Sequence, residues 1–219
     1  MLCKLYFVTM PKKRFVLLFL IFFPYLLMAQ QNNFSRFKEL SAPEKRWIAF
    51  HPIVAQKALQ LSIEAQKTAD SLSKHNILDN QPNGGQLDAF RHGYWMANLT
   101  VNIGSRKAFN LGKAHEKGNK ADFRKGILEE GELPDTISME MDLYNNKIGV
   151  NIGKANKNKA KYELQQLIIE SVISGKFKII SRDDSGNFLD TDGNIVPEEQ
   201  WKGFWENKRC LVNSNVIGN

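Results

Sequence analysis

Asp88 and His92 stand one helical turn apart in Gly84-Gly85-Gln86-Leu87-Asp88-Ala89-Phe90-Arg91-His92-Gly93-Tyr94-Trp95, a stretch whose apolar residues fall at helical spacing. A carboxylate and an imidazole at i, i+4 can touch. That pair suits general-base chemistry: the carboxylate orients the ring, and the ring takes a proton from water or a hydroxyl. Two further stretches carry the same kind of residue. Within Ala108 to Glu116, His115 continues the row Ala108, Leu111 and Gly112, and Glu116 follows it. Within Met139 to Gly149, Asp142 and Asn146 lie one turn apart, and Asn145 shares a face with Met141, Ile148 and Ile152. A polar group on an apolar row is costly to bury alone. Three helices that each bring such groups to an apolar seam point to one buried cluster of Asp88, His92, His115 and Asp142, with Glu116, Arg91, Asn145 and Asn146 beside it.

Three readings of that cluster stay open. One is the His–Asp dyad. Another is a divalent-metal site of two histidines and one or two carboxylates, close to zinc or iron ligand sets. The third is a hydrogen-bonded network that fixes helix packing without chemistry, which the bridging amides Asn145 and Asn146 suit well. Other catalytic patterns fail. No serine sits in a nucleophile elbow. His115-Glu116 lacks the second histidine of the HExxH motif, since Asn119 holds that position. Asp190-Thr191-Asp192-Gly193-Asn194 suggests a calcium loop, but Gly193 is fourth and Trp201 twelfth, so a plain turn is expected. Cys210 has no histidine near it in sequence and is expected to be buried and inert.

The elements that must position these groups are mostly helices. Ser41-Ala42-Pro43-Glu44 is a capping box opening a short helix through Trp47 and Phe50. His51-Pro52 interrupts it, with His51 in the turn or capping the next helix. That helix runs to Ser73 on a stripe of Val54, Ala58, Leu61, Ala65 and Leu72, widened by Ile53 and Leu59. Asn76 to Gly85 is a loop, followed by the Asp88–His92 helix with two apolar rows, the pattern of a central helix. A break near Gly104-Ser105 leads into the His115 helix. Gly118 to Asp135 is expected to be a solvent-facing excursion with a short helix at Asp122 to Leu128. Thr136 or Ser138 caps the Asp142 helix, which runs to about Gly153, where Gly149 and Gly153 suggest tight packing. A last helix spans Asn156 to Ser174 and stops at Gly175. Beyond it, strand-like pieces at Phe177 to Ile180, Asn187 to Asp190 and Gly193 to Val196 alternate with turn signals. The expected fold is mainly α: a single helical domain over 43–175 with a small C-terminal β-hairpin or meander over 176–219.

Lys12, Lys13 and Arg14 precede an apolar run, Phe15 to Leu27, that ends at Met28-Ala29-Gln30. This is the pattern of a signal peptide over 1–29 cut near Ala29, with 30–42 a polar lead-in and Met10 a second start beside Met1. Export to the periplasm, outer membrane or medium follows. An uncleaved anchor is the alternative. The leader holds four basic residues and no acid, so the net charge of +7 falls to +3 without it. No basic stripe interleaved with aromatics is present, and no nucleic-acid partner is expected. A single cysteine beyond the leader allows no internal disulfide.

At Asp88-Ala-Phe-Arg-His92, His115-Glu116 and Met141-Asp142-Leu-Tyr-Asn145-Asn146-Lys-Ile-Gly149 the chain resembles an uncharacterised bacterial domain family. Its members share DAFRH, HE and MDLxNNxxG blocks in this order, in secreted proteins and toxin-like modules. A more distant similarity is to the phospholipase A-two-like superfamily and its Wnt-related branch. That similarity implies His92 as the water-activating base, calcium as the cofactor and a lipid or small ester as substrate. The chain departs from it where Gly93 follows His92 in place of Asp, and where Asn83-Gly84-Gly85 stands for a cysteine-flanked calcium loop. The functional expectation is an exported hydrolase of an ester bond, possible lipids included, with His92 as general base, helped by Asp88, His115, Glu116 and Asp142. Calcium or zinc are the candidate cofactors. The alternative is a secreted, non-enzymatic binding module whose polar cluster is structural.

Overall fold

The computed structural model describes residues 37–128 and 131–216, so the expected signal peptide and most of the lead-in lie outside the described residues. The chain divides into two units, Met1–Leu40 and Ser41–Asn219. Of the first, residues 37–39 are helical. The second carries the architecture.

Helix α1 (Ala42–Phe50) opens on the capping box: Ser41 Oγ accepts from the Glu44 N–H, and Glu44 Oε2 accepts from the Ser41 N–H at 2.9 Å. His51 stands in the turn between α1 and α2 (Pro52–Ser73) and makes no side-chain cap bond to α2; its Nδ1 lies 2.9 Å from the Trp47 carbonyl and its ring stacks on the Trp47 indole. On α2, Ala58, Leu61, Ala65 and Leu72 face inward as their spacing predicts, whereas Ile53 is 95% exposed and does not widen the stripe. Helix α3 (Gln86–Ile103) is the hub and packs against α2, α4 (Ser105–Phe123), α5 (Thr136–Ala155) and α6 (Lys161–Ile173). Its two apolar rows serve two cores. Phe90 and Tyr94 meet Ala65, Leu72, Ile168 and Val172 on one side. Met96 and Leu99 meet Trp47, Leu61, Ala108 and Leu111 on the other.

Several boundaries differ from the sequence expectation. Helix α4 continues through Gly118 to Phe123, and Gly118 and Asn119 are buried rather than solvent-facing. A methyl at Gly118 would lie 2.5 Å from Ser41 Oγ, so this glycine serves a close helix approach and not a helix end. Helix α5 is capped by Asp135, not Thr136 or Ser138: its carboxylate accepts from the Ser138 N–H at 2.9 Å. The last helix begins at Lys161, five residues later than expected.

The sheet is small. Strand β1 (Lys178–Ile180) pairs antiparallel with β2 (Leu211–Asn213), with Ile179 opposite Val212. The pieces expected to pair with β1 form only bridges, Arg182 to Phe188 and Leu189 to Ile195. A single helical turn, α7 (Glu198–Trp201), follows them and precedes β2. The fold is thus mainly helical with a two-stranded antiparallel sheet near the C-terminus. Among the described residues no helix is long and apolar enough to cross a membrane.

Candidate functional site

The site sits where α3 crosses α5. A methyl built on Gly149 would lie 2.3 Å from the Gly93 carbonyl oxygen, and one on Gly153 2.7 Å from that of Ala97. Two backbones this close leave no room for side chains along the contact. The residues flanking it on each helix, His92 on α3 and Asp142 and Asn146 on α5, are thereby brought face to face.

His92 is 1% exposed, and Asp88 and Asp142 are each 4% exposed, so the three are held away from bulk water. The His92 Nδ1 lies 3.2 Å from Asn146 Oδ1. Asn146 Nδ2 donates to Glu116 Oε1 at 3.2 Å, and Asn119 Nδ2 donates to Glu116 Oε2 at 3.4 Å. This relay fixes the ring. An ionised carboxylate only accepts, so the amide nitrogen of Asn146 faces Glu116 and its oxygen faces His92. With Glu116 ionised, that oxygen accepts and Nδ1 of His92 donates. The other nitrogen, Nε2, faces two carboxylates: Asp88 Oδ1 at 3.5 Å and Asp142 Oδ1 at 3.4 Å. One ligand-capable atom from each of the three residues lies within 4.8 Å of the other two. Asp88 is itself anchored, by the Arg91 guanidinium at 2.6 Å and the Gly84 N–H at 2.8 Å. The turn before α3, with Gly84 at φ +74°, aims that N–H at the carboxylate.

Beside the two carboxylates is a polar cavity of about 30 Å³, lined by Asp88, Asp142, Arg91, Ser138, Glu132 and Arg209 among others. That holds roughly one or two water-sized groups. Arg209 is fixed by an ion pair with Asp135 and packs against both the Phe188 and Trp201 rings, 4.4 and 4.6 Å from their centroids. Burial pushes its guanidinium down to about 10.

The other expected site residues fall elsewhere. His115 does not join the triad: its Nδ1 faces Glu44 Oε1 at 3.2 Å, and its ring is centred 6.4 Å from that of His92, with Trp95 packed against its edge. Burial pushes the Glu44 carboxyl up, but the hydrogen bonds and charge of His115 and the bonds from Ser41 outweigh it and hold Glu44 below its ordinary value. Glu116 enters through Asn146, one step behind His92. Asn145 turns away to the sheet, where it donates to the Lys178 carbonyl and accepts from the Lys178 N–H, both at 2.9 Å. Cys210 is half-buried rather than buried; its thiol donates to the Asp190 carbonyl, and burial pushes its pKa up. The Asp190 carboxylate accepts from the Asp192 and Asn194 N–H groups, the plain turn expected there. Sequence reading missed Asn119, Arg209 and the Gly84 N–H. Asn119 alone carried a signal, standing three residues after Glu116 on a helix.

No curated protein and no solved structure gives a significant match to the chain. The family model described as Domain of unknown function (DUF6973) matches residues 45–176, which hold every group of the site except Ile180 and Arg209 of the cavity wall. The chain belongs to that family.

Proposed function

We propose that the chain is an exported hydrolase of an ester-type bond, with Asp88, His92 and Asp142 activating the attacking water. One observation carries this reading: an imidazole nitrogen converges with two carboxylate oxygens, and those two carboxylates line a cavity with room for a water. Burial favours the chemistry, because charges act more strongly where water is scarce. The cavity is small and polar, so it holds the attacking water, and the bulk of the substrate lies outside it. Arg91 and Arg209 on its wall suit negative charge developing on a carbonyl or phosphoryl oxygen. Export rests on the leader that ends at Ala29.

A second reading has its own support. The 1% exposure of His92 also suits a secreted binding module in which the triad only pins α3 to α5. Hydrolysis of short-chain esters and phospholipids, with and without calcium or zinc, separates the two. The parent should turn over at least one substrate, and His92→Gln should stay folded and lose about 100-fold or more. A parent inactive throughout, or a His92→Gln variant as active as the parent, refutes the hydrolase and leaves the binding module.

A further inference from the structure

We propose that His92 Nε2 and one oxygen each of Asp88 and Asp142 form a divalent-metal site of the zinc type, with the neighbouring cavity as its open coordination position. This rests on the same centre as the hydrolase reading, and the tests below separate the two.

The first ground is the tautomer. The relay from Glu116 through Asn146 places the His92 proton on Nδ1, which leaves Nε2 as the coordinating nitrogen. Metal-bound histidines commonly have their other ring N–H held in this way. The second ground is distance. A direct charge-assisted N–H···O bond is about 2.7–2.9 Å long. The Nε2 to oxygen separations are 3.4 and 3.5 Å. Two zinc bonds of roughly 2.0–2.1 Å at the tetrahedral angle set neighbouring ligand atoms about 3.3–3.4 Å apart. These two separations fit ligands sharing one ion better than groups bonded to each other, and the two carboxylate oxygens lie within 4.8 Å of one another. The third ground is charge: Asp88 and Asp142 bring two negative charges, of which the Arg91 guanidinium offsets one, so the three side chains keep a net negative charge for a cation. The nitrogen donor favours zinc or a similar transition metal over calcium or magnesium, which prefer oxygen. The fourth is access. Three protein ligands with a vacant side are the pattern of a catalytic zinc site, whereas structural sites use four. Here the cavity lies against both carboxylates. His115, which sequence spacing offered as a second ligand, belongs instead to Glu44.

The test uses the chelator-stripped mature protein, titrated with zinc by calorimetry. One zinc should bind per chain and raise the unfolding temperature. Asp142→Asn should weaken binding by about 10-fold or more, and Asn146→Ala, which acts only through His92, by about 10–100-fold. His115→Ala should bind as the parent does. Cobalt in place of zinc should give the strong visible absorption of a four-coordinate site, a readout on the parent that stands even if a variant fails to fold. A folded parent that binds no zinc, an Asp142→Asn variant that binds as tightly as the parent, or a cobalt spectrum of a six-coordinate aqueous ion overturns the proposal. Zinc binding without any hydrolysis leaves the metal site standing and removes the hydrolase reading. Metal-independent hydrolysis that depends on His92 does the reverse.

Discussion

Replacing Gly149 by alanine should loosen the crossing on which the site depends. The added methyl would lie 2.3 Å from the Gly93 carbonyl oxygen, 2.9 Å from its Cα and 3.0 Å from its carbonyl carbon. All three are backbone atoms of a central helix, so no rotamer relieves the clash. Restoring ordinary contact requires α5 to move about 1 Å from α3. Overpacking a filled core costs about 1–3 kcal/mol, and a backbone clash belongs at or above the upper end. The better helix propensity of alanine returns about 1 kcal/mol. A net loss of about 2 kcal/mol or more is expected, a large part of an ordinary domain's stability. Gly112→Ala is the contrast. Its methyl would meet Met96 Sδ at 3.1 Å and Asn146 Nδ2 at 3.2 Å, both side-chain atoms that need to give by only a few tenths of an ångström. That change should cost under about 1 kcal/mol, or stabilise slightly. Urea unfolding measures both through the midpoint, provided the slope is unchanged. A Gly149→Ala protein as stable as the parent, or no worse than Gly112→Ala, would show that the α3–α5 contact is not as close as described.

Asn145→Ala removes both bonds to the Lys178 backbone and should cost about 1–3 kcal/mol by urea unfolding, without changing zinc affinity; an equal effect on affinity would place Asn145 in the site. Glu44 is held below its ordinary value of 4.5, so the stability it adds is present above that pH and lost as pH falls through the lower folded value. The gap in melting temperature between the parent and Glu44→Gln should therefore hold well above pH 4.5 and close as pH falls below it, and a gap indifferent to pH contradicts the assignment. Expressed in a suitable bacterium, the mature protein should begin at Gln30 and be recovered outside the cytoplasm; retention of Lys12 to Leu27 in the recovered product argues for an anchor.

Helix α2 was legible almost to the residue, because Pro52 marks its start and an apolar stripe at helical spacing marks its inner face. Gly118 misled for the opposite reason. Glycine commonly ends a helix, and only the approach of Ser41, far away in sequence, shows that this one lets two elements touch. Strand β2 escaped notice because three residues carry little periodicity and its partner lies some thirty residues back. At the site, the apolar rows showed that Asp88, His92 and Asp142 point inward, and inward on α3 and α5 is the same place. They could not show that inward on α4 at His115 meets Glu44 of α1. Asn145 and Asn146 are adjacent in sequence but about 100° apart around a helix, so one turns to the sheet and the other to the triad. Arg209 was invisible as a site residue, because Asp135, Phe188 and Trp201 come to it from three separate segments.

The most direct test of the centre is the protonation of each nitrogen of His92, read by NMR on protein with ¹⁵N-labelled histidine and assigned with His92→Gln. In zinc-loaded protein, Nδ1 should carry a proton held by Asn146, and Nε2 should carry none and show the shift of a metal-bound nitrogen. A proton on Nε2 in the presence of saturating zinc, whether or not Nδ1 also bears one, would contradict the assignment of Asp88, His92 and Asp142 to a single metal-binding centre.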